Sequence, residues 1–280
     1  MTGTPRTPGT DRSGIGERGY VIAKLGGSIV TDKARLQTAD EGAIERFAAA
    51  FGALRADSRQ HLILVAGGGS FGNSTAHPEF EPDAPDRIAA SAPVIQAWAA
   101  IFEKAWNRTG PTCRVLTADE LLKNEGLGVR FDAGPLFSAF AEGRIPVMMP
   151  GVVFQQRRTY LVSSDLMPLF AARAFRTKRF TALSDVDGLR IDGTTVPMIG
   201  IEDRAKALAA ATQSGKPDAT GGMRRKLQVM LRMAAQGIEG VICSGRPELV
   251  EAALYASPPP GTWILPSTVR ASLAPKAAQC

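Results

Sequence analysis

Short apolar runs alternate with amphipathic stretches along most of this chain. Residues 20–25, 62–66 and 180–183 are mostly apolar and stop at Gly or Ser, which is typical of buried strands. Between the first two runs, apolar residues from Ile44 to Leu54 recur at helical spacing. This alternation predicts βα units arranged around a mainly parallel sheet.

The same patterns assign elements to most of the remaining chain. They predict helices at residues 88–106, 118–124 (with Thr117 as N-cap), 136–141, 166–174, 221–235 and 248–255. They predict strands at residues 115–116, 146–149 and 241–243, a β-hairpin from 152–154 and 160–162, and an edge strand at 262–265. Residues 191–217 show no clear pattern and receive no assignment.

One domain accounts for the patterned residues, 20–265. The 280 residues suffice for one large α/β domain, or two closely packed lobes, with a sizeable core. Residues 1–19 are rich in Gly, Pro, Thr and Arg and carry no signal-peptide pattern, so we expect a disordered tail there. We expect residues 266–280 to form a second tail.

Composition narrows the functional classes. The 33 basic and 27 acidic residues leave a net charge of +6, but no basic–aromatic motif accompanies it, so nucleic acid is not expected as a partner. No apolar run approaches the roughly 20 residues that cross a bilayer, so no membrane association is expected. Cys113, Cys243 and Cys280 show neither disulfide nor metal spacing, which favours a reducing cytoplasm.

Three glycine-rich loops are suited to holding phosphate. KLGGS (24–28) and GGGSFG (67–72) each follow a predicted strand, and DATGGMRRK (218–226) opens a basic helix. Glycine lets backbone N–H groups approach an anion without a Cβ in the way, and a helix N-terminus favours negative charge. Lys24 and Lys226 add point charges for phosphoryl oxygens. Together the loops indicate a kinase, although a glycine turn beside a solvated lysine explains the first loop alone equally well.

The second loop also satisfies the dinucleotide-binding pattern G-x-G-x-x-G through Gly67, Gly69 and Gly72. A Rossmann fold further requires an acidic residue about 20 residues later, at the end of the next strand. Here that window is a Pro- and Asp-rich loop leading into the helix at 88–106. The context therefore favours a loop that grips a substrate anion over a dehydrogenase.

Aspartates follow two further elements. SDVDG places Asp185 and Asp187 after a predicted strand, where carboxylates can take Mg²⁺ or hold nucleotide hydroxyls, although a simple Asp-Gly turn also explains the motif. SSD ends in Asp165, which can cap the next helix or orient two lysines. His61 is expected to be structural, whereas His77 follows the second glycine loop and is a candidate acceptor contact.

One face of the helix at 88–106 carries Ile95, Trp98 and Phe102. These side chains can line an apolar pocket for an acceptor tail. Core packing is the favoured interpretation, because apolar residues at helical spacing most often face a core.

In order along the chain, KLGGS, TDK, GGGSFG, SSD, SDVDG and DATGGMRRK resemble the motifs of the amino acid kinase family over residues 20–265. Each motif is weak alone, but six in order are specific. Within the family, the chain is most similar to isopentenyl phosphate kinases and fosfomycin kinases. The resemblance implies a three-layer α/β/α sandwich with a largely parallel central sheet, paired into a homodimer. It also implies that about residues 20–165 bind the acceptor and about residues 166–265 bind ATP.

The resemblance also implies roles for individual residues. The implied catalytic residues are Lys24 and Lys33 on the transferring phosphoryl group, Asp165 as their organiser, and Lys226. The implied ATP site consists of Lys24, Gly26, Gly27, Ser28, Gly69, Ser184, Asp185, Asp187, Gly188, Thr220, Gly221 and Lys226. The implied acceptor site consists of Gly67, Gly68, Ser70, Asn73, His77 and Ser164. Mg²⁺ is expected with ATP, and no residue is assigned as a dedicated metal ligand.

One position departs from the family pattern. Those kinases usually follow the glycine loop with a histidine that binds the acceptor's phosphate or phosphonate, whereas this chain has Asn73 there and His77 four residues later. Either an insertion displaces the histidine or asparagine replaces it; a neutral amide cannot become cationic. The expected acceptor is isopentenyl phosphate, followed by a fosfomycin-like phosphonate. The alternative is a carboxylate kinase that forms an acyl phosphate.

Overall fold

The computed structural model describes residues 19–72, 85–125, 128–155, 158–212 and 222–267. The predicted tails lie almost wholly outside these ranges, as do four predicted site residues: Asn73, His77, Thr220 and Gly221. Every helix within the described ranges is too short or too polar to span a lipid bilayer.

The strands are β1 (Tyr20–Leu25), β2 (Leu62–Ala66), β3 (Cys113–Leu116), β4 (Leu122–Glu125), β5 (Gly128–Phe131), β6 (Ile145–Met148), β7 (Gly151–Gln155), β8 (Arg158–Val162), β9 (Thr177–Ser184), β10 (Arg190–Ile191), β11 (Thr194–Thr195), β12 (Met198–Gly200), β13 (Glu239–Ser244) and β14 (Thr262–Leu265). The α-helices are α1 (Gly27–Val30), α2 (Glu41–Gly52), α3 (Ala56–Arg59), α4 (Gly69–Gly72), α5 (Pro85–Trp106), α6 (Ala118–Leu121), α7 (Gly134–Ala141), α8 (Met167–Ala174), α9 (Arg204–Thr212), α10 (Gly222–Ala234) and α11 (Val250–Tyr255).

Eight strands form one central sheet in the order β12–β14–β13–β9–β1–β2–β6–β3. The six strands from β13 to β3 run parallel to one another. β14 runs antiparallel to β13, and β12 runs parallel to β14 at the sheet edge. The largely parallel sheet expected from the sequence is confirmed.

Helices cover both faces of this sheet. Successive side chains of a strand point to opposite faces, so apolar strands such as β1 need a packing partner on each face. On one side, Val21 of β1 packs in a core with Phe47 of α2 and Trp98 of α5. On the other side, Ile22 of β1 packs in a second core with Met230 of α10. Two cores separated by one sheet make the three-layer α/β/α sandwich that the family resemblance implied.

The helix expected at residues 118–124 is wrong beyond its first turn. The amide of Thr117 donates to the Glu120 side chain at 2.8 Å, as in a capping box. The helix nevertheless ends at Leu121, and the chain continues into β4, which pairs with β5. The four residues of β4, LKNE, show no alternation of apolar and polar positions, so periodicity alone could not reveal the strand.

The strand at Thr262–Leu265 is not at the sheet edge, because β14 lies between β13 and β12. The edge strand β12 falls within residues 191–217, which the sequence left unassigned, together with α9 and β11. Strands of two or three residues are too short to show an alternating pattern. Hydrogen bonding defines them instead, since β11 pairs with the neighbouring β10 and β12 with the distant β14.

Candidate active site

Three neighbouring strands position the candidate site at one edge of the sheet. β2, β1 and β9 are adjacent and parallel, and Leu25 at the end of β1 pairs with Ala66 and Leu183 of the two flanking strands. In open α/β sheets, ligands bind outside the carboxyl ends of the strands. Both glycine loops and the SDVDG segment begin at these ends.

Lys24 and Asp165 form a buried ion pair at this edge. The Lys24 Nζ lies 2.5 Å from Asp165 Oδ1, and the two side chains are only 6% and 12% exposed. Lys24 comes from β1, whereas Asp165 lies between β8 and α8, 141 residues along the chain. The carboxylate therefore holds the ammonium in one place and compensates the cost of burying its charge. Ser164, beside Asp165, is also buried.

The other two lysines meet at the end of β9. Lys226 of α10 donates from Nζ to Ser184 Oγ at 2.9 Å, and that hydroxyl donates to Asp185 Oδ1 at 3.3 Å. The Lys33 Nζ lies 3.5 Å from the other carboxylate oxygen of Asp185, Oδ2. Asp165 thus pairs with Lys24, while Lys33 pairs with Asp185 rather than with Asp165.

The Asp185 carboxyl has a pKa below its ordinary value of 3.8. Partial burial by itself raises this pKa, but the charge of Lys33 and hydrogen bonds from the Asp185 amide, Ser28 and Ser184 outweigh that effect. The side chain is half exposed, so its charge also faces solvent. An ionised carboxylate therefore stands between two lysines at the end of β9.

The two N-terminal glycine loops pack directly against each other. A Cβ on Gly27 would lie 2.3 Å from the Gly69 nitrogen, and a Cβ on Gly67 would lie 2.3 Å from the Gly27 nitrogen. Gly69 also has φ +51°, and a Cβ there would lie 2.0 Å from Thr31 Oγ1. Glycine is required at these positions because any side chain would push the loops apart, in addition to any role in binding an anion.

Ser70 and Gly68 belong to the same loop. The Ser70 hydroxyl donates to the Thr38 carbonyl at 3.0 Å, and its amide donates to Thr31 Oγ1 at 3.0 Å. Ser70 is buried, so these bonds tie the loop to the chain that follows α1. A Cβ on Gly68 would lie 3.2 Å from the backbone of Gly72. Acceptor binding by Ser70 and Gly68 stays a prediction.

The remaining predicted ATP contacts surround the end of β9. The Gly26 amide donates to the Leu183 carbonyl at 2.9 Å, which joins the first glycine loop to β9. Asp187 is exposed, and Gly188 is buried against Thr262. Their roles in nucleotide binding also stay predictions.

The residues fit a magnesium ion carried by a nucleotide. Across the described ranges, no group of three or more His, Cys, Asp or Glu side chains could hold a metal ion by itself. Mg²⁺ usually keeps several waters and binds through one or two carboxylates together with substrate phosphates. Asp185 and Asp187 are exposed carboxylates after β9, and they supply the hard oxygen donors that such binding requires.

Sequence reasoning named Trp98 as a core or pocket residue but missed its hydrogen bond to the second glycine loop. Its indole Nε1 donates to the Gly67 carbonyl at 3.0 Å, and the side chain is fully buried. The core interpretation of the helix face with Ile95 and Phe102 is confirmed, since both are buried too. Only the aromatic type of Trp98, which carries an N–H that needs a partner when buried, hinted at this contact.

Several known proteins are similar to this chain in sequence. The model of the amino acid kinase family matches residues 19–244. Acetylglutamate kinase from Methylobacterium nodulans is 35% identical over 99 residues, which cover 35% of this chain and 31% of that protein, so the match spans about a third of the relative's length. Isopentenyl phosphate kinase from Methanothermobacter thermautotrophicus is 26% identical over 268 residues, covering 87% of this chain and 98% of that protein.

A solved structure shows the same fold. The product complex of isopentenyl phosphate kinase from T. acidophilum superposes with a TM-score of 0.66 and 23% sequence identity, covering 88% of this chain and 99% of that one. The family model spans most of the chain, including both N-terminal glycine loops, Asp165 and Lys226. The chain belongs to the amino acid kinase family.

Proposed function

We propose that this protein is an ATP-dependent kinase that transfers the γ-phosphoryl group to a small acceptor bearing a phosphate or phosphonate. Isopentenyl phosphate is the first acceptor to test. The observation that carries the proposal is the buried Lys24–Asp165 pair, held at the carboxyl end of β1 where the two glycine loops interlock. A fixed ammonium beside bare backbone amides suits a transferring phosphoryl group.

In the proposed reaction, an acceptor oxygen attacks the γ-phosphorus in line. The new acceptor O–P bond forms as the bond to the bridging oxygen breaks, and ADP leaves with that electron pair. No covalent intermediate with the enzyme is required. Lys24 stabilises negative charge on the transferring group, and Asp165 keeps its ammonium in position, because catalysis of this type depends on positioning and charge stabilisation.

The nucleotide is proposed to lie against the end of β9. Lys226 neutralises phosphate charge there and is oriented by its hydrogen bond to Ser184. Lys33 pairs with Asp185 on an exposed surface, from which it can reach a phosphoryl oxygen. Mg²⁺, when bound with ATP, supplies further charge neutralisation at the β- and γ-phosphates.

The two substrates are proposed to bind to different parts of the chain. We place acceptor binding in residues 20–165 and ATP binding in residues 166–265, with the protein acting as a homodimer. The buried free thiols of Cys113 and Cys243 fit a reducing cytoplasm as the site of the reaction.

The choice of acceptor rests on the length of the similarity. The match to the archaeal isopentenyl phosphate kinase covers 98% of that protein. A carboxylate acceptor is the second candidate, because the chain also matches an acetylglutamate kinase, and acetylglutamate carries carboxylates instead of a phosphate. Replacement of the family histidine by Asn73, one of the two explanations of the sequence, would favour this candidate as well, because a neutral amide binds a dianion less strongly than a cation does.

An acceptor panel in an ADP-release assay tests the proposal. Purified protein with Mg²⁺ and ATP is offered isopentenyl phosphate, a fosfomycin-like phosphonate, glutamate or acetylglutamate, and the products are identified by phosphorus NMR. A diphosphate or phosphono-phosphate product supports the leading proposal, and a product that hydroxylamine traps supports the carboxylate kinase. Omitting Mg²⁺ and adding EDTA should abolish turnover.

Two lysine variants complete this test. Lys24→Met should abolish transfer, whereas Lys104→Ala, which removes the same charge from an exposed position on α5, should leave it unchanged. ADP release that never exceeds the acceptor-free rate, and is the same in wild type and Lys24→Met, would reject the proposed function.

A further inference from the structure

The indole of Trp98 joins helix α5 to the second glycine loop at two points. Its Nε1 donates to the carbonyl of Gly67 at 3.0 Å. Its ring stacks on Phe71, with ring centroids 4.8 Å apart and planes 16° apart. Gly67 is the first residue of the loop and Phe71 lies in α4, near the end of the loop. One buried side chain therefore contacts the loop at both ends.

The same loop is also held by the first glycine loop. The Gly67 amide donates to the Leu25 carbonyl at 2.8 Å, and its Cα lies so close to Gly27 that a Cβ would overlap the Gly27 nitrogen. Gly67 is thus fixed between β1 and α5. A displacement of Gly67 towards Gly27 is blocked by the loop that follows Lys24.

Trp98 is itself held by a row of aromatic rings. It contacts Phe102 edge to face at 5.6 Å between centroids, and Phe102 stacks on Trp106 at 5.7 Å. Trp106 in turn packs on Phe51 of α2. All of these side chains are buried, and Trp98 is the member of the row that contacts the glycine loop directly.

We propose that Trp98 is a positioning residue for phosphoryl transfer, acting through the Gly67 carbonyl and the Phe71 ring to fix the backbone amides of the second glycine loop. This inference rests on the proposed function. A binding loop must be held within about 0.5 Å of its productive geometry. A mutation far from the reacting atoms that displaces a binding group by about 1 Å can lower the rate about 100-fold.

Trp98→Phe and Trp106→Phe form a matched pair of variants. Trp106 is also buried on α5, and its Nε1 donates to the Pro111 carbonyl at 2.9 Å. Each substitution removes one indole hydrogen bond and the same volume from the same aromatic row, but only Trp98 contacts the glycine loop. A merely structural role would therefore affect both variants alike.

The two variants are compared by kinetics and by amide hydrogen exchange. For Trp98→Phe, we expect kcat/KM for the acceptor to fall at least tenfold further than for Trp106→Phe. We also expect the amides of Ser70, Phe71 and Gly72 to exchange at least tenfold faster in Trp98→Phe, with no such change in Trp106→Phe. Phe71→Leu removes only the ring stacking and should also increase the exchange rate of these loop amides. If Trp98→Phe does not fold, Phe71→Leu replaces it in the comparison.

Equal loop exchange or equal kcat/KM in the two tryptophan variants would overturn the inference. Hydrogen exchange is measured without substrate, so its result does not depend on knowing the acceptor. If the wild-type protein transferred no phosphoryl group, the proposed function would fail, and the catalytic part of the Trp98 inference would fail with it. Loop exchange would then separately decide whether Trp98 anchors the loop.

Discussion

Replacing Asp165 with asparagine tests the pair on which the proposed site depends. The substitution keeps the size of the side chain and one oxygen that accepts a hydrogen bond from Lys24, but it removes the negative charge. The Lys24 ammonium then stays buried beside a neutral amide. We expect both the free energy of unfolding and kcat to fall.

The size of the effect follows from the 2.5 Å separation and the low exposure of both side chains. At an effective dielectric constant of about 20, the direct attraction amounts to about 7 kcal/mol, most of which offsets the cost of taking two charges out of water. Removing one partner of a buried pair typically costs about 3–5 kcal/mol. Because domains are stable by about 5–15 kcal/mol, we expect the variant to fold but to unfold more readily.

Glu239→Gln is the matched control for this experiment. Glu239 pairs with Arg179 at 2.6 Å, and Arg179 is about as buried as Lys24. Arg179 lies on β9 five residues before Ser184, which places it roughly 16 Å from the site. Arg179 also donates to the carbonyls of Leu254 and Ala256, so this substitution should cost only about 1–3 kcal/mol. It should leave kcat within about threefold of wild type.

Urea unfolding followed by tryptophan fluorescence gives the free energies, and ADP release at saturating substrate gives kcat under conditions in which each variant is folded. For Asp165→Asn, we expect kcat to fall by roughly 10²–10³-fold, the usual cost of one preorganised electrostatic group. The reasoning is refuted if Asp165→Asn unfolds within about 1 kcal/mol of wild type, or if Glu239→Gln lowers kcat as much.

Three further predictions concern individual groups of the site. Lys226→Ala should lower kcat by roughly 10²–10³-fold in the ADP-release assay, and a change of only a few-fold would remove Lys226 from the catalytic set. Gly67→Ala should lower the free energy of unfolding by about 1–3 kcal/mol because its Cβ would overlap backbone atoms. Gly72→Ala, whose Cβ would have nothing within 4 Å, should change it by less than about 0.5 kcal/mol. The midpoints of urea unfolding measure both changes, and equal midpoints for the two variants would contradict the prediction. Because the pKa of Asp185 is lower folded than unfolded, its stabilising charge is fully present above about pH 4 and is lost as the pH falls through the folded value. Lys33→Ala should raise that pKa, seen as a shifted carbon-13 titration of the Asp185 carboxyl, and an unshifted curve would contradict the assignment.

Local patterns predicted most of the central sheet and its covering helices. β1, β2 and the second half of β9 are mostly apolar runs that end at Gly or Asp-containing turns, and α2 and α5 show helical spacing of apolar residues. These signals are local, because burial on both faces makes a strand uniformly apolar and burial on one face gives a helix its period. Elements defined by pairing alone, such as β4 and β12, carried no such signal.

The candidate site was predictable as a set of residues but not as an arrangement. The order of motifs indicated Lys24, Asp165 and Lys226 as chemically important. The resemblance implied that Asp165 organises Lys24 and Lys33, but it did not show that Lys33 pairs with Asp185 or that Lys226 hydrogen-bonds Ser184, since these contacts join elements far apart in sequence. It also did not show that Gly27 and Gly67 are required by each other's backbone.

By itself, the sequence determined the buried strands and long amphipathic helices, the glycine-rich loops and the charged groups that are available, because these properties depend on neighbouring residues. Only the tertiary structure decided which lysine meets which carboxylate, why the glycines of two loops must be glycine, and that Trp98 reaches one of them. The physical reason is that the order and register of the strands in the sheet bring distant residues into contact, and strand order is a property of the whole chain.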